Sequence, residues 1–211
     1  TLMSVIILTS SVFVFRINDS VKLKIVLLSQ GSSTAAVIYK GSAAAIVDLE
    51  GKGKISSSVE KLLTSKGIKT VGLLVLNDNP LSNISVYIEK ISLPVENIST
   101  SDNTVIEVFG QSTAALSSGD TAAFLGCEIS FLSDGGYQIS YDNFKLLISK
   151  SSNDFLSEAS VCVFYGNGNK SIHIQDRIII FDDNTNGKAF LITAEKNGEN
   201  TLRRLDYALR E

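Results

Sequence analysis

Residues 71–83 read V-G-L-L-V-L-N-D-N-P-L-S-N. Val71, Leu73, Leu74, Val75 and Leu76 form a short apolar run that stops at Asn77-Asp78-Asn79-Pro80. A run of this length bounded by turn residues is the pattern of a fully buried strand. Its C-terminal end opens into a polar loop, and in open α/β proteins chemistry collects where strands end. This loop offers amides, a carboxylate and a hydroxyl, but no His and no Cys.

The pattern extends outward on both sides. Upstream, 22–29 is β-rich, and Gln30-Gly31-Ser32-Ser33 reads as a turn. Residues 34–39 and 43–49 read as strands joined by a hairpin at Lys40-Gly41-Ser42. Ser56-Ser57-Ser58 offers an N-cap. Ile55, Val59, Leu62 and Leu63 then recur at helical spacing as far as Lys66-Gly67. Strand, strand, strand and helix therefore lead into the strand at Val71. After Pro80, the spacing of Ile84, Ile88 and Ile91 predicts a short helix.

The second half repeats this grammar. Strands are predicted over 104–109, 121–124, 127–132, 137–141, 144–149, 160–165, 177–181 and 189–193, separated by turns such as Asp134-Gly135-Gly136 and Asp142-Asn143. Two halves of many strands and few helices predict two facing sheets with helices outside.

Composition bounds the function. The chain has 211 residues, 44% hydrophobic and 19% charged, enough to bury a core. Its net charge of -3 argues against a dedicated nucleic-acid binder with a uniformly basic surface. Cys127 and Cys162 lie in predicted strands and read as buried thiols rather than a disulfide. Residues 1–17 are apolar apart from small hydroxyls and one Arg. A membrane helix needs about 20 apolar residues, so this stretch reads as the end of such a helix, an edge strand or a truncated signal-anchor.

The order of elements resembles the metallo-β-lactamase fold, and specifically the C-terminal domain of ComEC-type DNA-uptake membrane proteins. The resemblance rests on spacing and strand context over about 22–193, with few identities. Leu27-Leu28-Ser29-Gln30-Gly31-Ser32 stands where that family has its first strand and its Gln-Gly turn. Ile46-Val47-Asp48-Leu49-Glu50-Gly51 stands at its Val-Asp turn, and 71–83 at its His-rich metal loop. Leu146-Leu147-Ile148-Ser149-Lys150 and 161–169, V-C-V-F-Y-G-N-G-N, stand at its later site loops.

The resemblance implies an α/β (α+β) fold, a metallo-β-lactamase-like αββα sandwich of two mixed β-sheets with outer helices, spanning 22–211. It also implies a place at the cell membrane on the extracytoplasmic side. The partners implied are the membrane channel part of the same protein and single-stranded DNA, with no small-molecule ligand.

The ligand positions have changed. The family's metal-binding His and carboxylate residues fall on Asn77, Asn79, Leu81 and Ser82, and its His-His pair on Gly166 and Asn167. Amides are poor ligands for Zn²⁺ and carry no charge, and Leu cannot ligate. With Asp78, these positions read as vestigial site loops, the domain as catalytically inactive, and its cofactor as none. Asp48 reads as a turn-ordering residue.

The rival reading is a hydrolase with a rewired carboxylate set of Asp48, Asp78 and Asp182 or Asp183, which would take Zn²⁺ or Mn²⁺; Asp48 with Asp78 alone would suit Mg²⁺. A third reading is a membrane-tethered scaffold unrelated to DNA.

Other polar residues are read conservatively. His173, the chain's one His, lies in Ser171-Ile172-His173-Ile174, predicted to be a surface segment. Gly110-Gln111-Ser112-Thr113 and Gly166-Asn167-Gly168-Asn169 lack the Lys-Ser/Thr of a phosphate loop. Arg203, Arg204 and Arg210 are interleaved with acids and read as a mixed-charge surface.

Overall fold

The computed structural model describes residues 22–30, 33–49, 55–76, 89, 91–100, 112–115, 117–133, 135–149, 159–166, 169–174, 177–181, 188–194 and 200–205. The apolar stretch 1–17, the loop from Asn77 through Asn83 and the strand expected at 104–109 lie outside them. So does most of the helix expected after Pro80.

The first sheet begins with β1 (Leu23–Gln30), β2 (Ser33–Lys40) and β3 (Ala43–Asp48), which form an antiparallel meander. Helix α1 (Ser56–Ser65) then carries the chain back to β4 (Thr70–Leu76), parallel to β3. β5 (Asn97–Thr100) and β6 (Ser112–Ala115) extend the parallel run.

The next seven strands build a second sheet: β7 (Thr121–Phe124), β8 (Cys127–Phe131), β9 (Tyr137–Tyr141), β10 (Phe144–Ser149), β11 (Val161–Gly166), β12 (Asn169–Ile174) and β13 (Arg177–Phe181). Its pairs are antiparallel except β10 with β11. The last two strands, β14 (Lys188–Ala194) and β15 (Asn200–Leu205), return to the first sheet beside β1. The orders are β15-β14-β1-β2-β3-β4-β5-β6 and β13-β12-β11-β10-β9-β8-β7.

Both sheets are therefore mixed, and the class is α+β, rich in strand. The expected split by sequence halves is corrected at β14 and β15, which cross back. The expected outer helices reduce, among the described residues, to one complete helix, α1 on the first sheet.

Strand alternation sorts the core into layers. Leu23, Ile25 and Leu27 of β1 face the second sheet, where Ile139, Leu146 and Val163 meet them. Val26 and Leu28 point the other way, toward Val59, Leu62 and Leu63 of α1. The helix starts at Ile55 with no side-chain cap, which corrects the expected serine cap. It ends as expected at Gly67, whose φ of +68° suits a residue without a side chain. The Gly67 and Ile68 amides donate to the carbonyls of Thr64 and Leu63, closing the last turn.

β4 carries a bulge. Ala44 pairs with Val71 and Ala45 with Leu73, so Gly72 is the extra residue. The ring of Phe124, from β7, lies against it: a Cβ at Gly72 would sit 2.3 Å from Cε2 of that ring. Asn97 Nδ2 donates to the Gly72 carbonyl at 2.9 Å. Three constraints meet at one glycine: the bulge, the close approach of a ring, and the hydrogen bond.

Candidate functional site: the polar end of the sandwich

β1, β3, β4, β5, β10 and β11 all finish at one end of the sandwich, and β2 and α1 start there. Among the described residues, every buried serine, threonine and charged side chain lies at this end. Ser29, Ser33 and Thr34 sit at the β1–β2 corner, and Asp48 at the tip of β3. Ser56 and Ser58 open α1, Ser99 and Thr100 close β5, and Ser149 closes β10. Among the described residues, the opposite end buries none of these types. Burying a hydroxyl or a carboxylate costs free energy unless it is hydrogen-bonded. Their collection at one end therefore marks that end as the region where the chain departs from simple core packing.

The register aligns these residues. One row runs Ala189, Leu28, Ala35, Asp48, Leu76, Thr100 across six adjacent strands. Leu28, Ala35 and Leu76 belong to the helix-side core, so Asp48 lies on that face, 0% exposed. A carboxylate wholly removed from water has to be hydrogen-bonded or paired. Ser33 lies on the same face, 1% exposed, and its hydroxyl has no hydrogen-bond partner among the described residues.

On the inter-sheet face, Leu27, Ser29 and Thr34 meet Val163 and Tyr165 around a cavity of about 10 Å³, the room of about one water molecule. Tyr165 donates its hydroxyl to the Gly135 carbonyl at 3.2 Å, tying β11 to the β8–β9 turn.

Of the positions singled out in the sequence, Asp48 is at this end and Gly166 ends β11, paired with Asn169. Gly166 and Asn169 thus belong to strands rather than to a free loop. Asn77, Asp78, Asn79, Leu81, Ser82, Asn167, Asp182 and Asp183 lie outside the described residues. His173 lies within β12, paired with Cys162. It sits next to the last residue of that strand, toward the opposite end of the sandwich. Its neighbour Ile172 faces the inter-sheet core, so His173 holds a position on the outward face.

Both cysteines are free and buried, as the sequence implied. Burial pushes the Cys127 thiol up to about 11, against the opposing effects of its backbone hydrogen bond and the Lys40 charge. Burial also raises Cys162. Neither is held as a reactive thiolate. No group of three or more His, Cys, Asp or Glu placed to hold a metal ion occurs among the described residues.

Sequence reading missed the clustering of small hydroxyls, because serine and threonine are common everywhere in this chain. Only the register brings Ser29, Thr34, Asp48 and Thr100 to one end.

No family model matches the chain, and no curated protein matches it. Among solved structures, a mutant flavo di-iron protein from Thermotoga maritima is similar with a TM-score of 0.37 at 17% identity, over 56% of this chain and 32% of that one. The chain thus spans about a third of the length of that protein.

Proposed function

We propose that this chain is a metal-free, metallo-β-lactamase-like sandwich domain from a ComEC-type DNA-uptake membrane protein, with a structural or strand-guiding role in place of hydrolysis. The observation that carries the reading is the separation of the chain's one His from the polar end. Metal hydrolases of the fold to which the resemblance points gather His and carboxylate ligands on loops at strand ends, where one or two ions generate hydroxide. Among the described residues, the buried polar groups of this end include Ser29, Ser33, Thr34, Asp48 and Thr100. The single His stands on β12, near the opposite end. Hydroxyl groups with a single carboxylate fall short of the three or four charged or imidazole ligands that Zn²⁺ takes.

In this reading the membrane channel part of the same protein and single-stranded DNA are the partners, and the domain lies on the extracytoplasmic side. The test is metal content and nuclease activity of the purified chain. Less than a tenth of an equivalent of Zn²⁺ or Mn²⁺, with no cleavage of single-stranded DNA and no change in thermal unfolding in chelator, supports the proposal. A stoichiometric ion, lost to chelator together with cleavage, would transfer the assignment to the carboxylate-liganded hydrolase.

A further inference from the structure

We infer that the end of the sandwich opposite the buried hydroxyls docks on an anionic membrane surface, through a basic rim of Lys22, Lys24, Lys40, Lys66 and Lys69. The register of the first sheet gathers these residues. Lys22 precedes β1, and Lys24 lies near its start, paired with Tyr39. Lys40 ends β2 and pairs with Ala43, which pairs in turn with Thr70 at the start of β4. The Lys69 amide donates to the Ser42 carbonyl at 2.8 Å, and Lys66 stands at the C-terminus of α1. Neighbouring strands lie about 4.8 Å apart, so the rim from β1 to β4 is about 15 Å wide. Lys69 is exposed and the other four are partly exposed.

Local packing explains some of these cations. Lys24 Nζ sits 5.9 Å from the centroid of the Tyr39 ring, and Lys40 lies over Tyr141. Lys66 is placed to offset the terminal carbonyls of α1. These contacts seat three cations and leave the sum of five unexplained. Among the described residues that begin or end β1 to β5 at this end, one is acidic, Glu96 beside the start of β5. The whole chain has a net charge of -3, so the rim runs against the average. It is also one-sided, because the second sheet carries the exposed acids Glu128 and Asp142 at this end.

The sequence before β1 argues for the occupant. Residues 1–17 are apolar apart from small hydroxyls and one Arg, and four residues separate Ile17 from Lys22. The chain covers that interval in at most about 18 Å. With the apolar stretch in a bilayer, the rim comes close to the headgroups, and lysines within roughly 10 Å of anionic lipid are drawn to it. The eight residues of β1 then hold the hydroxyl-lined end about 25 Å farther from the membrane. The inference rests on the reading of 1–17 as membrane-associated, and not on the ComEC assignment.

The experiment sediments the full chain with vesicles of neutral phosphatidylcholine, and with vesicles mixed about seven to three with anionic phosphatidylglycerol. Binding to neutral vesicles reads the apolar stretch, and the preference for mixed vesicles reads the rim. The expected preference is at least tenfold, and it should be lost in the Lys22→Gln, Lys66→Gln, Lys69→Gln triple variant, which spares the two lysines packed on tyrosine rings. Each lysine near an anionic surface is worth about fivefold, so Lys69→Gln alone should weaken binding to mixed vesicles by about that factor. Lys145→Gln, on the outer face of the second sheet, should change it less than twofold. Equal binding to both vesicles would overturn the proposal, as would a preference that survives in the triple variant. Equal losses in Lys69→Gln and Lys145→Gln would mean bulk charge and would also overturn it. A labelled twelve-residue thymidine oligonucleotide is the remaining arm: if the triple variant loses the oligonucleotide and keeps its vesicle preference, the rim belongs to nucleic acid instead. Far-UV circular dichroism monitors folding, and if the triple variant does not fold, Lys22→Gln and Lys69→Gln singly carry the test.

Discussion

The two ends of the sandwich are built differently. At one end the connections are tight: the β2–β3 turn at Gly41-Ser42, the α1 terminus at Gly67 and the β7–β8 turn at Leu125-Gly126. The sheets there are fastened by packing. Phe124 lies on Gly72, and Lys40 Nζ sits 5.5 Å from the Tyr141 ring centroid and 3.4 Å from its hydroxyl. At the other end stand the buried hydroxyls and Asp48. The contrast teaches a division of labour. One end holds the layers together, while the other spends part of that stability on polar groups that core packing does not require.

The comparison breaks hardest in the layer that both ends share. Phe144→Ala removes a fully buried ring from between the sheets. It should cost about 3–5 kcal/mol by denaturant unfolding, and a loss below 1 kcal/mol would mean the sheets are not mutually packed. Next comes Gly72→Ala, expected to cost about 1–3 kcal/mol because the added methyl collides with Phe124. Pairing it with Phe124→Leu should recover part of that loss. Simple additivity in the double-mutant cycle would deny the contact.

At the polar end, Asp48→Ala should cost about 1–3 kcal/mol, since the groups bonded to a wholly buried carboxylate are left without it. Ser33→Ala on the same face should instead be neutral or stabilising by up to about 1 kcal/mol, because its hydroxyl is buried with no partner among the described residues. Equal losses at Asp48 and Ser33 would erase the distinction between an ordering group and a bare one.

The remaining effect is a pH dependence, confined to alkaline solution. The Cys127 thiol is raised by burial from 9.0 to about 11. The folded state therefore holds its proton where the unfolded chain releases it. This contribution is intact below the ordinary thiol range and is lost as pH rises through about 11. Cys127→Ala should flatten the alkaline limb of the stability profile over that window.

Much of this architecture was legible from residues alone. The strands from β1 to β4, α1 and its stop at Gly67, and most strands of the second sheet follow from apolar runs and turn residues. What escaped has identifiable causes. β5 and β6, N-I-S-T and S-T-A-A, carry too few apolar residues to register as strands, because neighbours supply most of their hydrogen bonds and cover. β12 was obscured by the Gly and Asn residues before it, which suggested a loop where the chain makes a hairpin. The α1 start at Ile55 shows burial overriding the local preference for a serine cap: Ile55 is in the core, and Ser56 and Ser58 are drawn beneath the helix. Arg203 and Arg204 look alike in sequence, and only pairing with Leu191 and Phe190 assigns them to opposite faces. Long-range pairing leaves no local signature, so β14 and β15 were read as strands or tail without their sheet.

That return of the chain has a consequence for how the protein is made. β1 lies inside the first sheet, and one of its two flanks is occupied only by β14, with Leu23 against Ala194. During synthesis, β1 through β6 can leave the ribosome long before that flank is filled. Until then the nascent chain carries an open, strongly apolar strand edge, available to pair with other chains. Filling that flank waits on β14, a pairing of high sequence separation, which is the kind of contact that slows folding.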